Sequence, residues 1–323
     1  LNSSGEYTQG AGSVSMLICE DPSIISFDGA WGVSTKGIGD FFKPRRIFKK
    51  SNLLIEAAKL FGKEVSVNEA EDLINISDSK FWSDSNDLVE VYKEEPIFEG
   101  QFSNESYKER VHEAIDNFNE QNQRDILSDW ENIIFHLPYA YHGRRMIVEK
   151  WIDWMKENNQ FDKIYSEVGK PDSTEDKDWI KKVSKSSIYN SFIREKISAG
   201  EKASSEIGNM YTASIFMSLI SSLVESLEKD RKLENKKIGF ISYGSGSKAK
   251  IFEGTIEKDW IKKTKLIKLF ENLDSRKKVS IDVYEDLHKR KISSNINNND
   301  GIIKLSKIFN GEFTEGLRKY VKY

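Results

Sequence analysis

The sequence predicts an α/β fold, in which short buried strands alternate with amphipathic helices. From Asn104 onward, apolar residues recur at three- and four-residue steps, as on one face of a helix: Tyr107, Val111, Ala114, Ile115 and Phe118. A short apolar strand over 132–137 follows and ends at Pro138. Further along, strands over 237–242 and 248–256 flank a glycine-containing turn. Because strands and helices alternate without stretches made only of hairpins, we expect the α/β class.

Composition limits the kinds of protein that this chain can be. Its 323 residues suit about two domains, and 38% hydrophobic with 11% aromatic residues exclude a disordered chain. A net charge of −3 excludes charge-driven binding of nucleic acid. The single cysteine, Cys19, excludes an intrachain disulfide framework and a cysteine-rich zinc site. No apolar run is long enough for a membrane span, so we expect a soluble, cytoplasmic protein.

The first hundred residues divide into two stretches of different character. Residues 13–19 are apolar and predict a strand, which the β-branched segment 23–28 would join after a turn at Asp21-Pro22. Residues 46–100 are charged, contain helical stretches such as 53–61, and predict an insertion over the surface.

The remaining residues predict the elements that would carry a site. A helix over 143–157 follows the strand at 132–137, and residues 204–227 form the most apolar helix. The Asn-, Ser- and Lys-rich stretch 289–299 predicts a flexible tail.

His136 stands at the end of a predicted strand. A histidine there can donate a hydrogen bond or a proton near neutral pH, since its ordinary pKa is about 6.5. It can equally be a core histidine bonded to a backbone carbonyl. His112 and His288 lie on charged helical faces and are expected to be solvated, and His142 has no independent support as a site residue.

Two glycine-containing segments each allow two interpretations. The turn at 243–247 could bring a backbone N–H close to a ligand oxygen, or could be an ordinary hairpin turn. It lacks the spacing of a phosphate loop and precedes a strand rather than a helix. Asn209, after Gly208, could cap the following helix or present its amide to a carbonyl in a cleft.

Basic pairs and the cysteine complete the set of candidates. The cluster 43–46 and the pair Arg144-Arg145 could bind nucleotide phosphates, because the arginine guanidinium can donate two parallel hydrogen bonds to a phosphate. Alternatively, they form a solvated helix face whose charge Glu149 balances. Cys19 closes an apolar segment and precedes two carboxylates, which disfavour a thiolate. We therefore do not expect Cys19 to be a nucleophile.

Read in order, five segments resemble the successive motifs of the 3-hydroxy-3-methylglutaryl-CoA (HMG-CoA) synthase family: 1–12, 40–44, 135–139, 207–214 and 242–247. The resemblance runs to about residue 290. It implies a thiolase-like fold of two related halves in αβαβα layers, and a homodimer. The chain would then comprise the end of the first half (1–45), the surface insertion (46–100), the second half (101–290) and a tail (291–323).

The resemblance implies condensation of acetyl-CoA with acetoacetyl-CoA and water to HMG-CoA and CoA, as in the mevalonate pathway. It implies no resident cofactor and no metal, since the CoA thioesters are substrates. In this reading His136 polarises acetoacetyl-CoA, and the other implied residues line the pocket or contact phosphate: Thr8, Phe42, Arg144, Arg145, Asn209, Gly244 and Ser245.

The departures from the family pattern shape the expectation. The family's nucleophilic cysteine and general-base glutamate lie upstream of the motif at 6–12, so neither is in this sequence. Tyr7 and Tyr141 stand where proline and lysine are common, and Arg144-Arg145 replace a lysine pair. Because the rest of a thiolase-like fold would leave apolar faces uncovered, we expect an N-terminal polypeptide, either separate or cleaved. The alternatives are a carrier-protein-dependent β-branching synthase of polyketide assembly and a non-catalytic acyl-CoA-binding scaffold subunit.

Overall fold

A computed structural model describes most of the chain. The described residues are 8–83, 86–92, 96–97, 99–173, 176–289, 291–292, 303–311 and 314–322. They form two compact units, Leu1–Ile267 and Lys268–Tyr323. Among these residues no helix has the length and hydropathy of a transmembrane segment.

The first unit contains most of the secondary structure. In chain order its elements are β1 (Ile25–Thr35), β2 (Arg45–Lys49), α1 (Lys50–Leu60), α2 (Val67–Asn75), α3 (Lys80–Ser83), β3 (Leu88–Tyr92), α4 (Gly100–Asn122), α5 (Ile126–Asp129), β4 (Trp130–Phe135), α6 (His142–Glu157), α7 (Phe161–Val168), α8 (Lys177–Val183), α9 (Ser187–Lys196), α10 (Ser198–Ile207), α11 (Ala213–Glu228), β5 (Lys237–Gly244), β6 (Lys248–Ile256) and α12 (Trp260–Thr264).

A four-stranded mixed sheet in the order β1-β6-β5-β4 organises this unit. β4 and β5 run parallel, with Ile133 opposite Gly239 and Phe135 opposite Ile241. β6 is antiparallel to both of its neighbours. The strands predicted over 132–137, 237–242 and 248–256 are thereby confirmed as β4, β5 and β6. The parallel pair brings the carboxyl ends of β4 and β5 to one edge of the sheet.

Helices cover both faces of the sheet, so the α/β prediction is confirmed. On one face, Ile133 and Ile241 pack with α4, whose predicted apolar stripe is buried: Tyr107, Val111, Ala114, Ile115 and Phe118. On the other face, Ile134 and Phe240 pack with Leu219 and Leu223 of α11. Alternate strand residues therefore feed two separate cores, which explains why these strands are apolar throughout.

The predicted strand over 13–19 is wrong. These residues have no regular secondary structure, and Leu17 and Ile18 are about nine-tenths exposed. The segment that was expected to pair with it begins β1, which pairs instead with β6. A strand needs a neighbouring edge to bond its backbone, and none of the described strands offers one to residues 13–19.

The single helix predicted over 204–227 is also wrong, because it is two helices. α10 ends at Gly208, whose φ of +94° is a conformation that glycine adopts at little cost. Residues 208–212 then cross to the start of α11. The apolar pattern continues across residues 208–212 and therefore does not indicate this break. The break produces the loop that contains Asn209.

The charged stretch at 46–100 contains a small two-stranded sheet. β2 and β3 pair antiparallel, with α1, α2 and α3 between them in sequence. Arg45 forms an ion pair with Glu90 across these two strands. The predicted bounds of the insertion and of the two thiolase-like halves remain predictions. The two compact units of the chain divide at residue 267, whereas the second half was predicted to end at residue 290.

The second unit contains α13 (Leu269–Asp274), α14 (Ile281–His288), β7 (Ile303–Ile308) and β8 (Arg318–Lys322). β7 and β8 form an antiparallel two-stranded sheet. Most of the stretch predicted as a flexible tail, residues 290 and 293–299, lies outside the described residues.

Gly239 in β5 gives a testable prediction about the core. A Cβ at this position would lie 1.7 Å from the Trp130 ring, which is itself fully buried. We expect Gly239→Ala to lower the free energy of unfolding by about 3 kcal/mol, because the indole must leave its place. Urea titration measures it, with Gly37→Ala as control because no atom lies within 4 Å of that Cβ. Equal stability of the two variants would contradict the packing described.

Candidate active site

His136 is held at the carboxyl end of β4 by its own backbone. Its N–H donates to the carbonyl of Ile241 at 2.9 Å, which extends the β4–β5 ladder by one residue. Its carbonyl accepts a 2.6 Å hydrogen bond from the Tyr107 hydroxyl on α4. The ring therefore projects from a backbone fixed on both sides, at the edge where the parallel strands end.

The His136 ring is bonded through one nitrogen. Nδ1 lies 2.9 Å from the Ser214 hydroxyl in the first turn of α11. Burial lowers the pKa of His136 to about 4, so the ring is neutral at pH 7. The interpretation as a core histidine bonded through its ring to a backbone carbonyl does not fit, because the ring partner is a side-chain hydroxyl.

Tyr107 connects His136 to the second glycine-containing segment. Its ring stacks on that of Tyr243 with centroids 4.2 Å apart and planes 7° from parallel. It also contacts the His142 ring at 4.7 Å. Tyr107 is buried, which raises its pKa well above that of an ordinary phenol. It is thus a neutral hydrogen-bond donor and a packing surface at all physiological pH values.

His142 is more deeply buried than His136. It is 1% exposed, packs against the edge of Tyr139, and neither ring nitrogen has a hydrogen-bond partner. Burial, with Arg145 and His136 nearby, lowers its pKa to about 3. Protonation of either ring would place a charge in an apolar setting.

These two histidines predict acid lability. Both folded-state pKa values lie below the ordinary 6.5, so their stabilising contribution is complete above pH 6.5 and is lost as pH falls toward 4 and 3. We expect the free energy of unfolding to fall by on the order of 3 kcal/mol for each group across that window. Urea midpoints measured from pH 7 to pH 4 should show a shallower fall for His142→Met than for the wild type. A His288→Gln control should keep the wild-type slope; the prediction fails if His142→Met keeps it too.

Asn209 pairs with Gln9 in a short parallel bridge, whose two hydrogen bonds involve Thr8 and Gly10. The Asn209 N–H donates to the Thr8 carbonyl at 2.8 Å, and the Asn209 carbonyl accepts from Gly10 N–H at 2.8 Å. The Asn209 side-chain oxygen accepts from Tyr211 N–H at 2.8 Å and fixes the loop before α11. The interpretation of Asn209 as the cap of the following helix is wrong, because α11 begins at Ala213 after Thr212 and has no side-chain capping hydrogen bond. The backbone at 8–10 is thus bonded to the loop at 208–212, which leads into the turn of α11 that carries Ser214.

Gly244 is the last residue of β5, and Ser245 begins the turn to β6; both are exposed. The Ser245 side chain is hydrogen-bonded to the phenol of Tyr243, which also donates to Asp40 at 3.3 Å. Asp40 is 2% exposed and starts the segment that carries Phe42. Phe42 is itself 45% exposed and bridges to Ile97 through its backbone. The Tyr107–Tyr243 stack therefore joins the Ser245 turn and the Phe42 segment to His136.

The two arginines have different surroundings. Arg144 donates from Nε to both carboxylate oxygens of Glu201 at 2.9 and 2.8 Å, and from Nη2 at 2.5 Å. Arg145 is exposed and lies 5.7 Å from the centre of the Tyr139 ring. Glu149, expected to balance the pair, is instead bonded to Lys108 at 3.1 Å. Of the two arginines, Arg145 has the guanidinium that can turn to a phosphate.

Other candidates are placed elsewhere. His112 is not solvated as expected, because it is largely buried and its Nε2 lies 2.8 Å from the carbonyl of Met146. Cys19 is exposed and contacts the carbonyl of Asp21. Within the described residues, no three His, Cys, Asp or Glu side chains are grouped to hold a metal ion.

Several residues of the site were not singled out by sequence: Asp40, Tyr107, Ser214 and Tyr243. Three of them lie inside the quoted motif segments, so their positions were available but their partners were not. Tyr107 counted only as one apolar residue of an amphipathic helix. Its hydroxyl donates to the carbonyl of His136, 29 residues away and directly after β4, and no local sequence pattern identifies such a contact.

A mixed sheet covered by helices on both faces, with a histidine where its parallel strands end, is a thiolase-like arrangement. Residues 87–311 match the family described as hydroxymethylglutaryl-coenzyme A synthase C terminal. The chain therefore belongs to the HMG-CoA synthase family, as its motifs indicated.

Individual relatives agree with this family assignment. The hydroxymethylglutaryl-CoA synthase of Haloferax volcanii is 23% identical over 88% of this chain and 56% of the relative. The cytoplasmic enzyme of Homo sapiens is 29% identical over 61% of this chain and 42% of the relative. A solved structure of MvaS in complex with 3-hydroxy-3-methylglutaryl coenzyme A shares the fold, with a TM-score of 0.65 and 21% identity over 100% of this chain and 64% of that chain. The chain thus spans about half the length of the curated relatives it matches.

Proposed function

We propose that this chain supplies the acetoacetyl-CoA side of an HMG-CoA synthase active site in the mevalonate pathway. The reaction joins acetyl-CoA, acetoacetyl-CoA and water into HMG-CoA and CoA. The observation that supports the proposal best is the neutral His136 ring, bonded through Nδ1 at the end of the parallel strands. A fixed neutral N–H can bond the ketone oxygen and stabilise the alkoxide that forms when a carbanion attacks it.

The neighbouring residues support the same assignment. The bridge between Gln9 and Asn209 precedes the turn of α11 that carries Ser214, and Ser245 is bonded to Tyr243, which stacks on Tyr107. Backbone N–H groups and the Asn209 amide nitrogen are donors of the kind that thioester carbonyls need. Phe42, with its exposed ring, supplies apolar surface for an acyl or pantetheine chain.

We propose that further polypeptide completes this site and carries the acetylated cysteine and the general base. Apolar residues stand exposed on the first unit, among them Met16, Leu17, Ile18, Phe27 and Trp31. An apolar surface of this kind is typical of one that another polypeptide covers. This chain covers 56% of the Haloferax volcanii relative's length. We also propose that the complete unit is a cytoplasmic homodimer, the compartment being the one in the human relative's name.

Equilibrium binding tests the proposal directly. Titration of the chain with acetoacetyl-CoA in a calorimeter should give saturable binding that is tighter than binding of CoA, because His136 bonds only the acyl group. Binding should weaken toward the CoA value in His136→Ala. Equal affinity for the two compounds, or acetoacetyl-CoA binding that His136→Ala leaves unchanged, would contradict the proposal.

We expect Arg145 to bind a phosphate of the CoA nucleotide. A charge-assisted hydrogen bond to phosphate contributes about 1.5–3 kcal/mol, so Arg145→Ala should weaken CoA-thioester binding roughly tenfold or more. It should leave binding of the matching pantetheine thioester unchanged. Lys156→Ala, at the far end of the same helix, serves as control. If the pantetheine thioester binds as tightly as the CoA thioester in the wild type, a carrier-protein donor becomes the better assignment.

A further inference from the structure

Ser214 occupies a position that connects the helix α11 to His136. It is fully buried in the first turn of the helix, and its Oγ has two neighbours from the β4 segment. The Leu137 N–H donates to it at 3.1 Å, and the Nδ1 of His136 lies 2.9 Å away. The same oxygen therefore contacts two consecutive residues at the point where the strand ends.

The direction of the bond between Ser214 Oγ and His136 Nδ1 follows from which of the atoms carry hydrogens. The Leu137 amide can only donate, so Ser214 Oγ accepts there and keeps its own hydrogen for another acceptor. A neutral imidazole carries one proton, and its bare nitrogen is an acceptor. When Ser214 donates to Nδ1, the ring proton resides on Nε2, the nitrogen farthest from the serine.

We propose that Ser214 is a positioning residue that selects the Nε2–H tautomer of His136 and fixes the plane of its ring. This inference rests on the proposed function, and it names the side chain on which the hydrogen-bond donation of His136 depends. The backbone of His136 is already fixed through Ile241 and Tyr107, so ring rotation and tautomer are the freedoms that remain. Ser214 removes both.

The same serine also couples two parts of the site. The loop that carries Asn209 leads directly into the turn of α11 that holds Ser214, and Asn209 is bonded to the Thr8 segment. A shift of this loop therefore moves the hydroxyl that orients His136.

Tautomer can be measured without substrate. The chain contains four histidines, so long-range ¹H–¹⁵N spectra of histidine-labelled protein contain four rings, which single substitutions assign. In the wild type at pH 7 we expect His136 Nε2 to show the shift of a protonated nitrogen and Nδ1 that of a bare nitrogen. In Ser214→Ala we expect the two shifts to move toward each other as the tautomers mix. Ser214→Thr retains the hydroxyl and should restore the wild-type pattern.

Ser218→Ala is the matched control. Ser218 is one turn further along α11 and equally buried, yet its hydroxyl has no hydrogen-bond partner. It should leave the His136 shifts unchanged. A wild-type His136 protonated on Nδ1, or a Ser214→Ala variant that keeps the wild-type shifts, would overturn the inference. The wild-type spectrum alone decides the first point if the variant fails to fold.

A binding titration separates this inference from the proposed function. Acetoacetyl-CoA should bind Ser214→Ala up to roughly tenfold more weakly than wild type, the factor that one neutral hydrogen bond is worth. A fixed Nε2–H tautomer in a protein that does not bind acetoacetyl-CoA would refute the proposed function and leave the role of Ser214 standing. Binding that is tight and insensitive to the tautomer would refute the role of Ser214 alone.

Discussion

Replacing His136 by alanine should reduce condensation by a factor of roughly 10² to 10⁴ in the complete synthase. The ring is the preorganised donor at the end of β4, and its pKa of about 4 keeps it neutral throughout the physiological range. In the proposed reaction, the variant lacks a fixed donor for the alkoxide that forms when a carbanion attacks the ketone. The release of CoA from acetyl-CoA and acetoacetyl-CoA measures the effect. The loss should fall mainly on kcat, because the donor acts most strongly in the transition state.

His112→Gln provides a demanding comparison for that experiment. His112 is also largely buried and also bonded through its ring, but to a carbonyl of α6 at 2.8 Å. It should change stability and leave kcat within a factor of a few. If His136→Ala retains the wild-type kcat, His136 has no part in the chemistry. The site would then have to be sought elsewhere on the sheet.

Removal of the Glu201 carboxylate should be among the most destabilising single changes in the chain. Glu201 is 1% exposed, and burial raises its pKa even though the Arg144 guanidinium lies against it. Glu201→Ala leaves a partly buried guanidinium without its bidentate partner. We expect a loss of about 3–5 kcal/mol in the free energy of unfolding, measured by urea titration at pH 7.

Two variants show whether charge pairing is the cause. Glu228→Ala removes a half-exposed carboxylate 3.5 Å from Lys202, and should cost less than about 1 kcal/mol. The double variant Arg144→Met, Glu201→Leu replaces the whole pair by apolar side chains and should recover most of the loss. If Glu201→Ala is as stable as Glu228→Ala, the pair contributes nothing, and Arg144 becomes available again as a phosphate ligand.

The sequence predicts well those elements whose partners are themselves regular. The stripe from Tyr107 to Phe118 faces one core, and the buried strand predicted over 132–137 is present as β4, because apolar patterns reflect burial. It fails at residues 13–19, where an apolar pattern exists without a described partner strand. It also fails at Gly208, where a single backbone conformation interrupts an otherwise continuous helical pattern.

The site shows the same division. His136, Asn209 and Ser245 stand in motifs that sequence order makes recognisable, and the structure links all three through Tyr107, Tyr243 and the start of α11. What a motif cannot supply is the partner of each polar atom. Arg144 and Arg145 are adjacent and chemically identical, yet only the fold decides that one of them is bonded to Glu201.

β1 lies at the edge of the four-stranded sheet, and none of the described strands pairs with its outer side. Phe27, Trp31 and Val33 on this strand are two-fifths to one-half exposed. Two backbone groups of β1 are already bonded to α4, since the Val33 N–H donates to Asn117 Oδ1 at 2.9 Å and the Trp31 carbonyl accepts from Asn122 Nδ2 at 3.3 Å. The exposed apolar side chains are not covered in this way, so purified chains should self-associate more steeply as concentration rises. A polypeptide that covers these side chains would therefore also limit self-association of this chain.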